Sequence, residues 1–220
     1  MGGKIVGHGL YGLTEAARYT RFHHSRLYRW FASEGGVFRS DYSYMETARL
    51  ISFQDMIDAL VAGWFRVQGV PLKEIRQAYN SLKGFLETEH PFCHNELYVS
   101  GRKILAKATE GMQRSMLFEA VRGQGEIEAV IQEHLKPIDY GQASKLAARW
   151  NIAQGILLDP NICFGKPVIK GTRVSTFALS KQYDANQQDA GFVAKHFKVS
   201  PDDVRRAVGF ERSLKTRRAA

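Results

Sequence analysis

Arg18, Arg21, Arg26 and Arg29 stand close together near the start of the chain, and Glu15 is the lone acid between residues 13 and 31. His24, Ser25 and Tyr28 lie among them. Guanidinium groups bind phosphates and the acceptor edge of guanine, and hydroxyls serve at either place, so the set has the chemistry to hold a DNA duplex. The spacing assigns roles. At about 100° per residue, a helix over His24–Phe31 puts Leu27, Trp30 and Phe31 on one stripe. Ser25 and Arg29 then point away from that stripe, with Arg26 and Tyr28 on its flanks. Ser25, Arg26, Tyr28 and Arg29 are therefore candidates for the major groove, and Arg18, Arg21 and Arg39 for the phosphate backbone. His23 and His24 fall in the turn before this helix, where they can add pH-sensitive contacts or simply face solvent. A small helical hairpin with a solvated basic face fits the same residues.

Three other chemistries are suggested and set aside. Gly165-Lys166 looks like the end of a phosphate-binding loop, but Pro167 replaces the needed Ser/Thr and Pro160 stands at the first glycine position. His90-Pro91-Phe92-Cys93-His94 gathers metal-ligand types, but no second cluster follows to complete a zinc site, and a structural loop is the preferred reading. No Ser/His/Asp set or carboxylate pair stands out, so the expectation is a non-enzymatic protein with no cofactor and no metal.

The 220 residues carry 31 Lys/Arg against 22 Asp/Glu, a net charge of +9 that favours an anionic partner. The excess is uneven. Residues 1–90 hold 11 basic against 9 acidic residues, residues 91–154 hold 8 against 7, and residues 155–220 hold 12 against 6. Most basic charge thus lies far from the first helix pair. No apolar run reaches the roughly 20 residues of a membrane span. Met1–Val6 lacks the apolar core of a signal peptide, and Val6 breaks a myristoylation pattern. With Cys93 and Cys163 as the only cysteines, a reducing cytoplasm is expected.

The elements that position these residues follow from periodicity. Thr14 is expected to cap a first helix whose apolar face includes Leu13, Ala16 and Ala17. Gly35-Gly36, with Val37, Phe38, Tyr42 and Tyr44 around it, predicts short strands, a wing beside the helices. Arg39 and the tyrosines there are either phosphate contacts or plain loop residues. Ser52 with Asp55 reads as a capping box before a helix with a wide apolar face from Phe53 to Phe65. Gly69 ends it, and Pro71 starts a helix with the stripe Ile75, Ala78, Tyr79 and Leu82. In the middle, Glu96–Val99 and Arg102–Leu105 flank Ser100-Gly101 like a hairpin, Ile127–Leu135 reads as a helix, and Leu146, Ala148 and Trp150 alternate like a strand. The last part opens on a turn-rich stretch, Asp159–Val174. Three helices are expected after it, capped by Ser175, by Asn186 with Asp189 at the capping-box position, and by Ser200, with Phe192, Val193 and Phe197 inward in the second. Its last two helices are spaced like another helix-turn-helix, making Arg173, Arg205 and Arg206 candidates for a second nucleic-acid or partner surface. The fold class expected is mainly α with small β elements (α+β). The parts are a DNA-reading head over 10–88, an α+β connector and candidate dimer surface over 89–154, a helical domain over 155–214 and a basic tail over 215–220.

The order Leu13–Phe31, Leu50–Phe65, then Gly69-Val70-Pro71-Leu72-Lys73-Glu74-Ile75-Arg76 resembles the winged helix-turn-helix of the MerR superfamily, over about residues 10–85. Pro71 stands where that family often has Ser, and the family's long dimerising coiled coil and effector domain do not follow. Asp159-Pro160 and Gly165-Lys166-Pro167-Val168-Ile169-Lys170-Gly171-Thr172-Arg173 are similar to the hallmark of a small helical domain family of unknown function. A MerR-like head on such a tail resembles the VapB-like antitoxins. That resemblance implies a cytoplasmic homodimer that binds double-stranded DNA at its own operator and neutralises a PIN-like ribonuclease toxin. Two alternatives stay open: a toxin-binding adaptor without DNA binding, and a MerR-like regulator responding to a small molecule.

Overall fold

The computed structural model describes residues 7–32, 35–43, 50–99 and 135–216. Two compact units are present, Tyr11–Ala148 and a second made of Met1–Leu10 with Arg149–Ala220. Among the described residues helices dominate, with small antiparallel sheets, so the class is α+β. No described helix is long and apolar enough to cross a membrane.

The first unit opens with β1 (Tyr11–Gly12), paired antiparallel to β2 (Leu50–Ile51) through Tyr11 with Ile51 and Gly12 with Leu50. The chain passes straight from β1 into α1 (Leu13–Thr20). Gly12 is therefore the N-cap, without a side-chain bond, and Thr14 lies exposed inside the first turn rather than capping the helix. Arg21 in the left-handed region (φ 61°) ends α1, and α2 (His24–Trp30) follows.

The strands expected around Val37–Tyr42 are not there. The N–H groups of Val37 and Phe38 both donate to the Trp30 carbonyl, at 2.8 and 3.0 Å. They close the C-terminus of α2 instead of joining a ladder, and both side chains enter the core. Residues 44–49, including Tyr44, lie outside the described residues.

Helix α3 (Phe53–Val67) begins with the expected capping box: Ser52 accepts from the Asp55 N–H and Asp55 accepts from the Ser52 N–H. Gly69 (φ 87°) makes the turn, and Pro71 is the N-cap of α4 (Leu72–Leu86). Ile75, Ala78, Tyr79 and Leu82 are the buried stripe. Edge-to-face aromatic pairs run through this core, from Phe38 to Tyr79 (4.9 Å), Tyr79 to Phe92 (5.1 Å) and Phe65 to Phe92 (5.6 Å).

After a 3-10 turn at Pro91–Cys93, residues 95–99 are helical, so the strand expected at Glu96–Val99 is absent. His94 causes this: its carbonyl accepts from Leu97 N–H and its Nδ1 accepts from Glu96 N–H, both helix-starting bonds. The expected strand Arg102–Leu105, and all of Ile127–Leu135 but its last residue, lie outside the described residues. β3 (Ile138–Tyr140) turns through Gly141–Lys145 into β4 (Ala147–Ala153), which contains the strand expected near Trp150.

In the second unit, β5 (Ile156–Leu158) pairs antiparallel with β4 and with β6 (Val168–Ile169). Three helices follow: α5 (Thr176–Ala185), α6 (Ala190–Phe197) and α7 (Pro201–Thr216). Ser175 caps α5, and Ser200 and Asp203 form a reciprocal box at α7. Asp189, not Asn186, caps α6; Asn186 instead ends α5, its side chain donating to the Gln182 carbonyl. Leu179, Val193, Ala194, Val204, Ala207 and Val208 pack on Ile169. Phe192 does not point inward: it is 58% exposed, because Val193, one residue and about 100° further round, takes the core position.

The turn-rich motif builds this unit's backbone. Asp159 accepts from the Asn161 N–H and side-chain amide, and Phe164 (φ 54°) and Gly165 (φ 83°) reverse the chain in left-handed geometry. Lys166 Nζ donates to the Leu10 carbonyl, and the Pro167 carbonyl accepts from Thr176 N–H. Thr172 Oγ1 donates to Ile169 O and accepts from Val174 N–H, closing the turn that Gly171 (φ 83°) opens.

Candidate nucleic-acid interface

Helix α2 is short, and its orientation is fixed at both ends. His23 caps it: Nδ1 accepts from the Ser25 N–H at 3.2 Å and lies 2.8 Å from Ser25 Oγ. Phe22, in the turn before, rests on α3 where Gly63 leaves room; a Cβ there would lie 1.9 Å from the ring. The Phe22 ring also meets Trp30 edge-on at 6.0 Å. Leu27 and Trp30 are buried and Phe31 half-buried, so the core-facing stripe stands as its spacing predicts.

The exposed side of α2 carries His24, Ser25, Tyr28 and Arg29. At about 100° per residue these span an arc of roughly 140°. Tyr28 is 41% exposed and its ring leans on His24 at 6.1 Å. Arg29 Nε donates back to the Ser25 carbonyl at 3.3 Å, and its terminal nitrogens have no protein partner among the described residues. Arg26 sits differently. It is half-buried, with its guanidinium over the rings of Phe22 (5.3 Å) and Trp30 (6.0 Å). Arg18 and Arg21 are exposed at the end of α1, and Arg39 is exposed with Nε donating to Ser43 Oγ at 3.3 Å.

Under the Arg39 turn lies a buried polar network that sequence reasoning did not find. Asp55 Oδ2 accepts from Ser52 N–H (3.0 Å), Asp41 N–H (3.0 Å) and Ser40 Oγ (3.1 Å). His90 bridges two carboxylates, Nδ1 to Asp58 Oδ2 at 2.9 Å and Nε2 to Asp41 Oδ1 at 3.1 Å. Asp58, 1% exposed, also receives the Cys93 N–H (3.0 Å) and lies 2.8 Å from the Tyr79 hydroxyl. Burial, helped by the Asp41 charge, pushes the Asp55 carboxyl up to about 6, and burial likewise raises Asp58. Burial alone would lower His90, but its bonds to Asp41 and Asp58 outweigh it and raise the ring to about 11. Asp58, His90 and Cys93 do bring ligand-type atoms within 4.8 Å of one another. Both imidazole nitrogens are already committed to carboxylates, and a protonated imidazole is not a metal ligand. The visible signal was a pair of acids, Asp55 and Asp58, set within the apolar face of α3.

The second candidate surface is internally compensated. Arg205 pairs with Asp202 at 2.5 Å and Arg206 with Asp203 at 2.7 Å, each one turn back on α7. The start of α7 therefore presents acids beside its cations. Arg173 is exposed in the loop before α5, its carbonyl 3.4 Å from Cys163 Sγ.

No curated protein matches the sequence. The structure of Rv2018 from Mycobacterium tuberculosis, solved by X-ray crystallography, is similar over 90% of this chain and 96% of that one, with a TM-score of 0.72 and 22% identity; this is a likeness of fold. Residues 156–210, which contain the Gly165–Arg173 motif, match the family described as "Protein of unknown function (DUF433)".

Proposed function

We propose that this chain is the DNA-binding antitoxin of a toxin–antitoxin pair. It acts as a homodimer, represses its own operon through a MerR-like winged helix-turn-helix and neutralises a PIN-like ribonuclease. The observation that carries the DNA-binding part is the single exposed arc of His24, Ser25, Tyr28 and Arg29 on a helix whose opposite side is buried. Arg29 and Tyr28 read base edges in the major groove, while Arg18, Arg21 and Arg39 hold phosphates. Arg26 steadies the helix by stacking on Phe22 and Trp30. The antitoxin part rests on the resemblance of the MerR-like head and Gly165–Arg173 tail to VapB-like proteins.

Titration of the full chain with a duplex from upstream of its own reading frame tests the DNA-binding part. A dimer neutralising about eight phosphates gives a slope of log K against log salt near −7. A salt-insensitive interaction refutes it. Co-expression with the product of the neighbouring reading frame tests the antitoxin part, and a stable complex with a small PIN-like protein is the expected result. A second reading, an adaptor that binds the toxin without DNA, is favoured by the modest charge of residues 1–90, with 11 basic against 9 acidic residues. Toxin binding without a gel shift would select it.

A further inference from the structure

The buried network ends at an exposed cation, and this connection has a use. From Asp58 the hydrogen bonds pass through His90 to Asp41, whose own N–H is held by Asp55. Asp55 also meets Ser40, whose Oγ lies 2.6 Å from the Leu50 carbonyl and accepts from Tyr42 N–H at 3.0 Å. Ser43 N–H donates to the Ser40 carbonyl at 2.9 Å, and Ser43 Oγ receives Arg39 Nε. Every step from α3 to the Arg39 guanidinium is thus a polar contact. Burying carboxylates and an imidazolium in one core is an expensive way to gain stability, since apolar residues of equal volume do as well or better. What such a set adds is directional geometry. Side chains that fix Asp41 and Ser40 fix the turn from Arg39 to Ser43. A cation on a fixed turn binds a phosphate without first losing backbone freedom.

We infer that Asp55, Asp58, His90 and Asp41 are positioning residues for Arg39, holding its turn as a preorganised phosphate-contacting arm beside the reading helix. The inference rests on the DNA-binding reading proposed above.

A double-mutant cycle tests it with the full chain and a duplex of about 30 base pairs from upstream of its own reading frame. In the wild-type background Arg39→Ala weakens binding roughly five- to tenfold. In an Asp41→Ala or His90→Gln background the same substitution costs less than twofold, because the turn is no longer held. Asp41→Glu restores at least part of the Arg39 effect. An equal Arg39 effect in all backgrounds overturns the inference. Asp41 is at the rim, its side chain 31% exposed, so Asp41→Ala remains usable if His90→Gln does not fold. Amide hydrogen exchange supplies a readout without DNA: the amides of residue 41 and Tyr42 exchange at least tenfold faster in Asp41→Ala. Unchanged exchange overturns the lock whatever the DNA result. Faster exchange in a chain that binds no DNA overturns the DNA-binding reading, and the phosphate role of Arg39 with it.

Discussion

Asp58→Asn is a near-isosteric change at the deepest point of the polar network, and its cost can be worked out contact by contact. The side chain is 1% exposed and serves the Cys93 N–H, His90 Nδ1 and the Tyr79 hydroxyl. An Asn oxygen can keep the Cys93 bond. The Asn amide then faces His90 Nδ1, donor against donor, and the imidazolium is left with Asp41 as its one carboxylate. Tyr79 is least affected, because its hydroxyl also lies 2.7 Å from the Glu89 carbonyl. A lost charge-assisted hydrogen bond costs about 1.5–3 kcal/mol, and breaking a buried ion pair from one side costs about 3–5 kcal/mol. Burial disfavours the Asp58 charge in the first place, which offsets part of this. The expected loss is about 3 kcal/mol. Urea denaturation in a Trp150→Phe background would measure it, because Trp30 and Trp64 then report on the first unit alone. A change below about 0.5 kcal/mol would refute the reasoning. It would mean that Asp58 is a neutral acid and that the bridge is an ordinary hydrogen bond.

The same network sets a pH dependence. His90 is raised from 6.5 to about 11, so its contribution is complete below about 6.5 and disappears as pH rises through about 11. Asp55, raised from 3.8 to about 6, has the same sign and loses its preference for the protonated form over that lower range. The urea midpoint of the first unit should fall between pH 7 and pH 10.5, and fall less in His90→Gln; parallel curves for the two proteins would count against a charged His90. On DNA, Arg29→Ala should relax sequence preference and cost about 1–3 kcal/mol at the specific site, whereas Arg21→Ala should weaken all duplexes alike and lower the dimer's salt slope by about two, one phosphate contact from each protomer. Competition titrations against random duplex separate the two. Gly63→Ala should destabilise the first unit by about 1–3 kcal/mol, because the new Cβ meets the Phe22 ring at 1.9 Å. It should weaken DNA binding beyond that loss by tilting α2; a folded variant with unchanged affinity would show that the Phe22 contact does not orient the helix.

Legibility in the sequence followed the range of the forces. The Ser52/Asp55 box, the Ile75–Leu82 stripe, the strand through Trp150 and the Ser175 and Ser200 caps depend on neighbours a few residues away, and all were readable. The exposed face of α2 was readable for the same reason. Competing local signals went wrong where another bond won. Thr14 lost its capping role to a strand that runs directly into the helix, and Asn186 lost its role to Asp189. Glu96–Val99 has the composition of a strand, but His94 starts a helix there. Val37 and Phe38 have strand propensity but spend their N–H groups on Trp30. The network itself was beyond local reading. Asp58 and His90 are 32 residues apart and Asp41 and His90 are 49 apart; the acids on the apolar face of α3 show that a partner is needed, but not which one.

The bond from Lys166 Nζ to the Leu10 carbonyl, with that from Leu10 N–H to the Phe164 carbonyl, has a consequence for biosynthesis. The two ends of the Lys166 contact are 156 residues apart in the chain. At about 5–20 residues per second, the ribosome makes Lys166 roughly 8–30 s after Leu10. The residues of the first unit are all made within that interval, so it can fold on the nascent chain while Leu10 still waits for its partners. Helix α2 would then be formed before the Gly165–Arg173 turn exists, and a chain released early would be a head without its tail.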